Sequence, residues 1–206
     1  MARIKHRVFI SFHHDIDQEF KESLLDLNAE HEIFIDASVD TGEIDDSLDD
    51  QAIRQKIRDE YLQDSSVTIV LVGLETKKRK HVDWEIYSSM FDGTVNKQSG
   101  VLVINLPSTN CTSIHAAHGE TEKEKIYPEY KSWTTVKSRQ EYEERYPQAP
   151  ARIIDNLLKN NAKVSVTSWV KISENPEALR ILIDLTFDDR TKCEYDLSRP
   201  LRRADS

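Results

Sequence analysis

Four short apolar runs constrain the fold of this chain more than any other feature of its sequence. The runs are RVFISF at 7–12, HEIFIDASV at 31–39, SVTIVLVG at 66–73 and GVLVINLP at 100–107. Short apolar runs are typical of strands, and continuous ones are typical of parallel sheets buried on both faces. Stretches with helical spacing separate the runs, so strand and helix alternate. We therefore predict an α/β fold, a flavodoxin-like doubly wound parallel sheet of four to five strands with flanking helices.

The pattern changes after residue 107. Residues 108–150 are polar and irregular, which predicts an insertion or surface loop. PARIIDNLLKNN returns to helical spacing, AKVSVTSWVKI alternates like a half-exposed edge strand, and Pro176 suits the start of a last helix, before a tail expected to fray. We expect a single domain over residues 1–206, with a core at about 5–107, the insertion, and C-terminal helices with an edge strand at 151–206.

Composition excludes several classes of protein. A formal net charge of −9 argues against nucleic-acid binding, which requires clustered cations. The two cysteines, Cys111 and Cys193, are too few for a metal cage and are predicted to be free thiols of a reducing compartment. No segment approaches the roughly 20 apolar residues of a membrane span, and the N-terminus lacks a signal-peptide core. We expect a cytoplasmic protein that binds neither nucleic acid nor membrane.

The stretch KHVDWEIYSSM at 80–90 predicts a helix with two apolar faces. On a helical wheel of about 100° per residue, the stripes consist of Val82, Ile86 and Met90 on one side and Trp84, Tyr87 and Phe91 on the other. Another element or a second protein must cover the second stripe. Glu85 lies in the seam, in the opening turn of the predicted helix. It is either an acid that stabilises the helix N-terminus or a site residue in a partly desolvated groove.

For the strand order 2-1-3-4-5, a ligand crevice forms where strands 1 and 3 diverge at their carboxyl ends. The residues that this geometry would bring to the crevice are Ser11, Phe12, His13, Lys77, Trp84 and Glu85. Trp84 or Phe12 would stack on a base or ring there. Ser11 would contact a ribose or diphosphate, and Lys77 would attract phosphate. Histidines and aspartates after the first strand lack the spacing of a metal site, so we predict no metal.

Three segments carry a resemblance to a known family. RVFISFHHDID, EIFIDAS and TIVLVG followed by HVDWEI resemble the TIR-like domains of bacterial antiphage defence, with the greatest likeness to ThsB-type proteins of Thoeris systems. The Trp-Glu pair that begins the helix after strand 3 is the most diagnostic part. The likeness covers roughly residues 5–107.

The resemblance implies an enzyme that takes NAD+ as its substrate and needs no further cofactor. Such proteins cleave the nicotinamide N-glycosidic bond with a helix glutamate, which corresponds to Glu85, and form a cyclic ADP-ribose isomer. This diffusible nucleotide activates a partner effector, ThsA, that depletes NAD+. A homo-oligomer or a phage-derived activator is a possible further partner.

Two other function classes remain open at the level of sequence. A non-enzymatic TIR-like module would use the second apolar stripe for protein contacts. A nucleoside deoxyribosyltransferase-like enzyme would also use a glutamate to cleave a glycosidic bond.

Overall fold

A computed structural model of the chain describes residues 4–38, 44, 47–62, 64–94 and 96–205. A parallel sheet of five strands lies at its centre, in the order β2-β1-β3-β4-β5. The strands are β1 (Arg7–Ser11), β2 (Ile35–Asp36), β3 (Val67–Val72), β4 (Gly100–Asn105) and β5 (Ser165–Ser168). The predicted flavodoxin-like α/β fold and its strand order are confirmed.

Eight α-helices are assigned within the described residues. They are α1 (Gln18–His31), α2 (Asp50–Lys56), α3 (Lys80–Met90), α4 (Glu120–Ile126), α5 (Arg139–Arg145), α6 (Ala151–Leu157), α7 (Trp169–Glu174) and α8 (Pro176–Asp189). A π-helical turn at Ile57–Tyr61 continues α2, and short 3₁₀ turns occupy Thr76–Lys78, Pro107–Thr109 and Arg190–Lys192.

Successive residues of the central strands pack on opposite faces of the sheet, as the period of two requires. Val8, Ile10 and Phe12 face a cluster built with α1, α7 and α8. Val70 and Val72 face a second cluster built with α3, α5 and α6. A third cluster lies beside the second and joins β1, α2 and α3. Both faces of β3 and β4 are thus covered, which explains why their sequences are apolar without alternation.

The second strand is shorter than the run at 31–39 predicts. α1 extends to His31, and Glu32 follows it in the left-handed conformation with a φ of 50°. The side chain of Asn28 then accepts hydrogen bonds from the backbone N–H groups of Ile33 and Phe34, at 3.0 and 2.7 Å. These contacts hold the chain in a turn until Ile35, and residue 39 lies outside the described residues.

The prediction of a half-exposed strand at 162–172 is partly wrong. β5 ends the strand order of the sheet, but it stops at Ser168, whose hydroxyl accepts the N–H of Lys171 at 3.3 Å and caps α7. Residues Ser165 to Thr167 are buried rather than half-exposed. Outside them, His115 forms an antiparallel bridge to Val166 with hydrogen bonds of 3.0 and 2.9 Å.

The segment at 108–150 is more regular than predicted, because it contains α4 and α5. The start of α5 is stabilised by a reciprocal cap. The Ser138 hydroxyl accepts the N–H of Glu141 at 3.2 Å, and the Glu141 carboxylate accepts the N–H of Lys137 at 3.2 Å.

The C-terminal tail is docked on α3 through residue 205, contrary to the expected fraying. Leu201 is buried in the cluster that contains Trp84. The backbone N–H of Arg202 donates to Asp83 at 2.9 Å, and the Asp205 carboxylate accepts the N–H of Lys80 at 2.7 Å. The tail therefore supplies a cap for α3, whose own preceding residue, an arginine, makes no side-chain cap.

A buried ion pair joins this tail, α3 and α6. The Arg152 side chain is fully buried and donates two hydrogen bonds to Asp83, at 2.9 and 3.0 Å. It also donates to the carbonyls of Arg199 and Pro200, at 3.0 and 3.2 Å. Four hydrogen bonds thus satisfy the guanidinium group of Arg152, which is the condition under which a buried charge is tolerated.

Cys111 and Cys193 are free thiols, as predicted. Among the described residues, no helix is long and apolar enough to cross a membrane.

We expect Asp83→Asn to lower the free energy of unfolding by roughly 3–5 kcal/mol, because it leaves the buried guanidinium of Arg152 without a carboxylate. Equilibrium denaturation in urea measures the change. Glu143→Gln is the control, since it removes the exposed Arg139–Glu143 pair on α5, which contributes less than about 0.5 kcal/mol. Equal losses for the two variants would contradict the structural role assigned to the Arg152–Asp83 pair.

Candidate active site

The candidate site lies at the carboxyl ends of β1 and β3, where the strand order reverses and where doubly wound sheets bind their ligands. Ser11 is the last residue of β1, and its side chain is directed to the face covered by α3. Its hydroxyl donates a hydrogen bond of 2.6 Å to Oε2 of Glu85. Two residues separated by 74 positions in sequence thus meet at the predicted crevice.

Glu85 is almost completely buried, with 3% of its surface exposed. Burial raises the pKa of its carboxyl from the ordinary value of 4.5 to about 8, and the Ser11 hydrogen bond offsets the shift only in part. Since no charge from the described residues contributes to this shift, the acid is held in a desolvated position without a cationic partner. An acid of this kind is predominantly neutral at pH 7 and changes its charge within the range in which enzymes work.

The position of Glu85 in α3 also decides between its two interpretations. With Lys80 as the first residue of α3, Glu85 is the sixth, so it lies beyond the first turn, not in the opening turn that the sequence predicts. Interaction with the helix dipole is confined to the first turn, where Asp83 is the acid. Helix-end electrostatics therefore do not explain why a glutamate occupies position 85.

A second buried acid at the same end of the sheet was missed by sequence reasoning. The position of Asp17 before α1 predicts a helix cap, yet its side chain makes no capping hydrogen bond. Its carboxylate instead accepts a hydrogen bond of 3.3 Å from Thr76 and lies against Gly73 at the end of β3. A Cβ atom at Gly73 would come within 2.4 Å of that carboxylate, so the contact requires glycine. Burial raises the pKa of Asp17.

His13 lies beside this acid, close to the place predicted for it. Its ring is 5% exposed, and the buried Nδ1 atom has no hydrogen-bond partner among the described residues. Its backbone carbonyl accepts the N–H groups of Ile16 and Asp17, at 3.3 and 2.8 Å. The ring nitrogen is thus an unused polar group at the carboxyl end of β1.

Phe12 does not share the site with Glu85. Because adjacent strand residues point to opposite faces, Phe12 packs in the cluster with α1 and α8 while Ser11 faces α3. Its ring stacks on His14, with centroids 4.4 Å apart. The structure therefore does not bring the Phe12 ring to Glu85, where the sequence predicts it to stack on a substrate.

Trp84 is completely buried in the third cluster, against Ile53, Ile57 and Leu201. Its indole N–H donates to the carbonyl of Arg202 at 2.7 Å. The ring is covered by the protein in this structure and is not presented to the crevice, where the sequence predicts it to stack on a base. Of the second apolar stripe of α3, Trp84 is covered by α2 and by the C-terminal tail of the same chain, whereas Tyr87 and Phe91 stay partly exposed.

Lys77 is directed away from Glu85. Its ammonium group donates a hydrogen bond of 2.7 Å to the carbonyl of Pro147, between α5 and α6. The structure therefore brings Ser11 and Glu85 together, places His13 at the same strand end, and separates Phe12, Trp84 and Lys77 from them. Among the described residues, no group of three or more acidic, histidine or cysteine side chains is arranged to hold a metal ion.

Comparison with known proteins identifies one family. The family model described as the TIR-like domain of the Thoeris protein ThsB matches residues 9–111, half of the chain. The match includes Ser11 on β1, Gly73 and Glu85, and so covers the candidate site. A search of curated proteins finds no match. The resemblance predicted from the sequence is confirmed.

The buried carboxyl of Glu85 makes the stability of the fold depend on pH. Because its pKa is raised in the folded state, the protonated form stabilises the fold below about pH 4.5, and this contribution is lost as the pH rises through about 8. We expect Glu85→Gln, which cannot ionise, to gain stability relative to the wild type over this range, by on the order of 4 kcal/mol at the upper end.

Thermal unfolding of both proteins over this pH range measures the difference. The control is Glu122→Gln in α4, another buried glutamate that accepts a serine hydroxyl and whose pKa burial raises to about 7. The stability difference between Glu122→Gln and the wild type should level off at a pH about one unit lower than the difference for Glu85→Gln. A Glu85→Gln difference that does not change between about pH 5 and pH 8 would contradict the raised pKa.

Proposed function

The chain belongs to the TIR-like domain family of the Thoeris protein ThsB, a family of antiphage defence, and on that premise we propose that it is an NAD+-cleaving enzyme. It breaks the nicotinamide N-glycosidic bond and closes ADP-ribose into a cyclic isomer. This nucleotide signals to an NAD-depleting effector of the ThsA type. The observation that carries the proposal is the Ser11–Glu85 pair, a desolvated carboxyl without a cation at the crevice between β1 and β3.

One carboxyl group is sufficient for this chemistry. Ordinary glycosidases need an acid to protonate an alkoxide leaving group. Nicotinamide is bound in NAD+ as a pyridinium, so the bonding electrons pass to its ring nitrogen and it leaves as a neutral molecule. What remains is to stabilise the positive charge that develops on the ribose, which a carboxylate hydrogen-bonded to the ribose hydroxyls does.

Ring closure requires a different contribution from the site. A hydroxyl of ADP-ribose attacks the anomeric carbon and releases a proton, which the ionised Glu85 can accept. Water must be kept out, because hydrolysis would otherwise compete with cyclisation. The burial of Glu85 supports this requirement, and it also implies that the crevice opens to admit NAD+.

The charge of the substrate explains how a neutral acid becomes a carboxylate. A pyridinium cation that binds next to Glu85 favours the ionised form and lowers its pKa. In the free enzyme the acid is neutral and compatible with burial, and in the complex it is charged and paired. The hydrogen bond from the Ser11 hydroxyl favours the charged form of Glu85 and so supports its ionisation when the substrate binds.

The alternative of a non-enzymatic interaction module receives less support from this geometry. That interpretation depended on an uncovered second stripe of α3, and Trp84 of this stripe is buried against α2 and the C-terminal tail. Cleavage of a deoxynucleoside remains a distinguishable alternative, because it would use the same glutamate and release a free base.

We expect Glu85→Gln to reduce nicotinamide release from NAD+ by at least about a hundredfold, because an amide cannot stabilise the developing positive charge. Glu122→Gln is the matched control, with the same substitution at another buried glutamate, and it should retain activity. Nicotinamide, cyclic nucleotide and free base are measured by mass spectrometry in phage-infected cells and with purified protein, with deoxynucleosides as alternative substrates. Equal nicotinamide release by active wild type and Glu85→Gln would refute the catalytic assignment.

We expect kcat/KM for NAD+ to rise with pH, to reach half of its maximum near pH 8 and to level off about one pH unit above that, since this parameter reports the pKa of Glu85 in the free enzyme. The rise in kcat should occur at lower pH, because the bound pyridinium lowers the pKa of the carboxyl in the complex. Steady-state kinetics between about pH 5.5 and pH 9 measure both profiles. A flat profile of kcat/KM would show that ionisation of Glu85 does not control the reaction.

A further inference from the structure

A separate cavity of about 590 Å³ lies beyond the outer edge of β5. All its lining residues fall between Thr112 and Val164, whereas the family match ends at residue 111. Its volume lies in the range of small-molecule sites, about 300–1,000 Å³. The shared part of the family therefore does not account for this cavity.

The charge of the cavity is opposite to that of the whole chain. Four cationic residues line it, and no aspartate or glutamate is among its lining residues; the cations are Lys123, Arg145, Lys159 and Lys163. The protein as a whole has a formal net charge of −9. A local excess of cations in an acidic protein is the electrostatic signature of a site for a small anion.

Two of these cations have no acidic partner in the part of the chain that the structure describes. Lys123 pairs with Glu120 at 2.7 Å, and Lys159 pairs with Asp196 at 3.4 Å. In contrast, neither Arg145 nor Lys163 forms an ion pair with a carboxylate of the described residues. Their charges are thus available to a ligand, and a guanidinium with adjacent ammonium groups is a suitable donor set for phosphate.

Aromatic side chains line the same cavity. The Tyr130 and Trp133 rings lie with centroids 5.7 Å apart, and Tyr130 is 46% exposed, which is unusual for a large ring. The Lys123 ammonium group lies 5.6 Å from the centroid of Trp133. An exposed ring next to cations is the combination on which nucleotide bases stack while their phosphates are neutralised.

The wall of the cavity is anchored to the sheet at β5, and neither Ser11 nor Glu85 is among its lining residues. His115, a lining residue, is fixed to Val166 by two backbone hydrogen bonds. Burial, with the nearby positive charge of Arg145, lowers the pKa of His115 to about 4, so its ring is neutral at pH 7 and offers a polar atom without charge. β5 is three strands from β1, or about 14 Å at about 4.8 Å per strand.

We propose that this cavity is a second ligand site that binds a free nucleotide, with the phosphates held by Arg145 and the lysines and the base stacked on Tyr130. The ligand is a small molecule and not a nucleic acid. The charge of −9 on the chain repels a long polyanion, while an enclosed group of four cations accommodates two or three phosphates.

Isothermal titration calorimetry with ADP tests the proposal on a Glu85→Gln background. ADP has no nicotinamide bond, so no turnover at the other site contributes to the heat. The test variant adds Lys159→Gln and Lys163→Gln. The matched control adds Lys97→Gln and Lys192→Gln, two exposed lysines outside the cavity, and removes the same charge. We expect the test variant to weaken ADP binding at least about tenfold and the control to change it less than about twofold. Circular dichroism verifies that both variants are folded.

Titrations with adenosine and with inorganic pyrophosphate distinguish the two parts of the ligand. We expect ADP to bind more tightly than either, because only ADP uses both the cations and the aromatic rings. Pyrophosphate binding as tight as ADP would contradict the stacking of the base, and adenosine binding as tight as ADP would contradict the phosphate contacts. Absence of saturable ADP binding, or equal loss in the test and control variants, would overturn the proposal. None of these results depends on nicotinamide release, so failure here and failure of the proposed activity are distinguishable.

Discussion

The buried ion pair between Arg152 and Asp83 determines where α3 lies, and the candidate active site depends on it. The guanidinium group also donates to two carbonyls of the C-terminal tail, so that α3, α6 and the tail are joined through a single charge. Since breaking any of these contacts would leave a buried donor without a partner, α3 cannot rotate or slide independently. Glu85 is two residues from Asp83, and its contact with Ser11 is a consequence of that constraint.

The two acids of α3 are both buried, but their surroundings suit a structural role for one and a chemical role for the other. Asp83 and Glu85 are about 200° apart on the helix, so they face different surroundings. Asp83 accepts hydrogen bonds from a guanidinium group and from a backbone N–H, and its role is structural. Glu85 accepts a hydrogen bond from one hydroxyl group, which offsets only a small part of the energetic cost of its desolvation. An acid that served only stability would be expected to have the first type of environment, because an uncompensated buried carboxyl destabilises the fold.

Much of the fold could be predicted because the strands are continuous apolar runs and their order follows a known topology. The meeting of Ser11 and Glu85 at the carboxyl end of β1 also followed from that order, whereas the role of Glu85 was implied by the family resemblance. The environment of Trp84 could not be predicted, since Leu201 and the carbonyl of Arg202 reach it from the far end of the sequence. The cap of α3 by Asp205 is likewise non-local. In contrast, the reciprocal cap of α5 has a local signal, a serine followed by a glutamate three residues later.

The two proposed sites have opposite electrostatic requirements, and this difference favours separate ligands. The crevice at Glu85 offers a carboxyl without a cationic partner among the described residues, which suits a pyridinium cation. The cavity beyond β5 is lined by four cations and by no acidic residue, although two of the cations pair with carboxylates outside the lining, and this excess of positive charge suits phosphates and repels a pyridinium. The two sites are built on different strands, since β5 is three strands from β1, or about 14 Å at about 4.8 Å per strand. Each site therefore selects its ligand by its own charge.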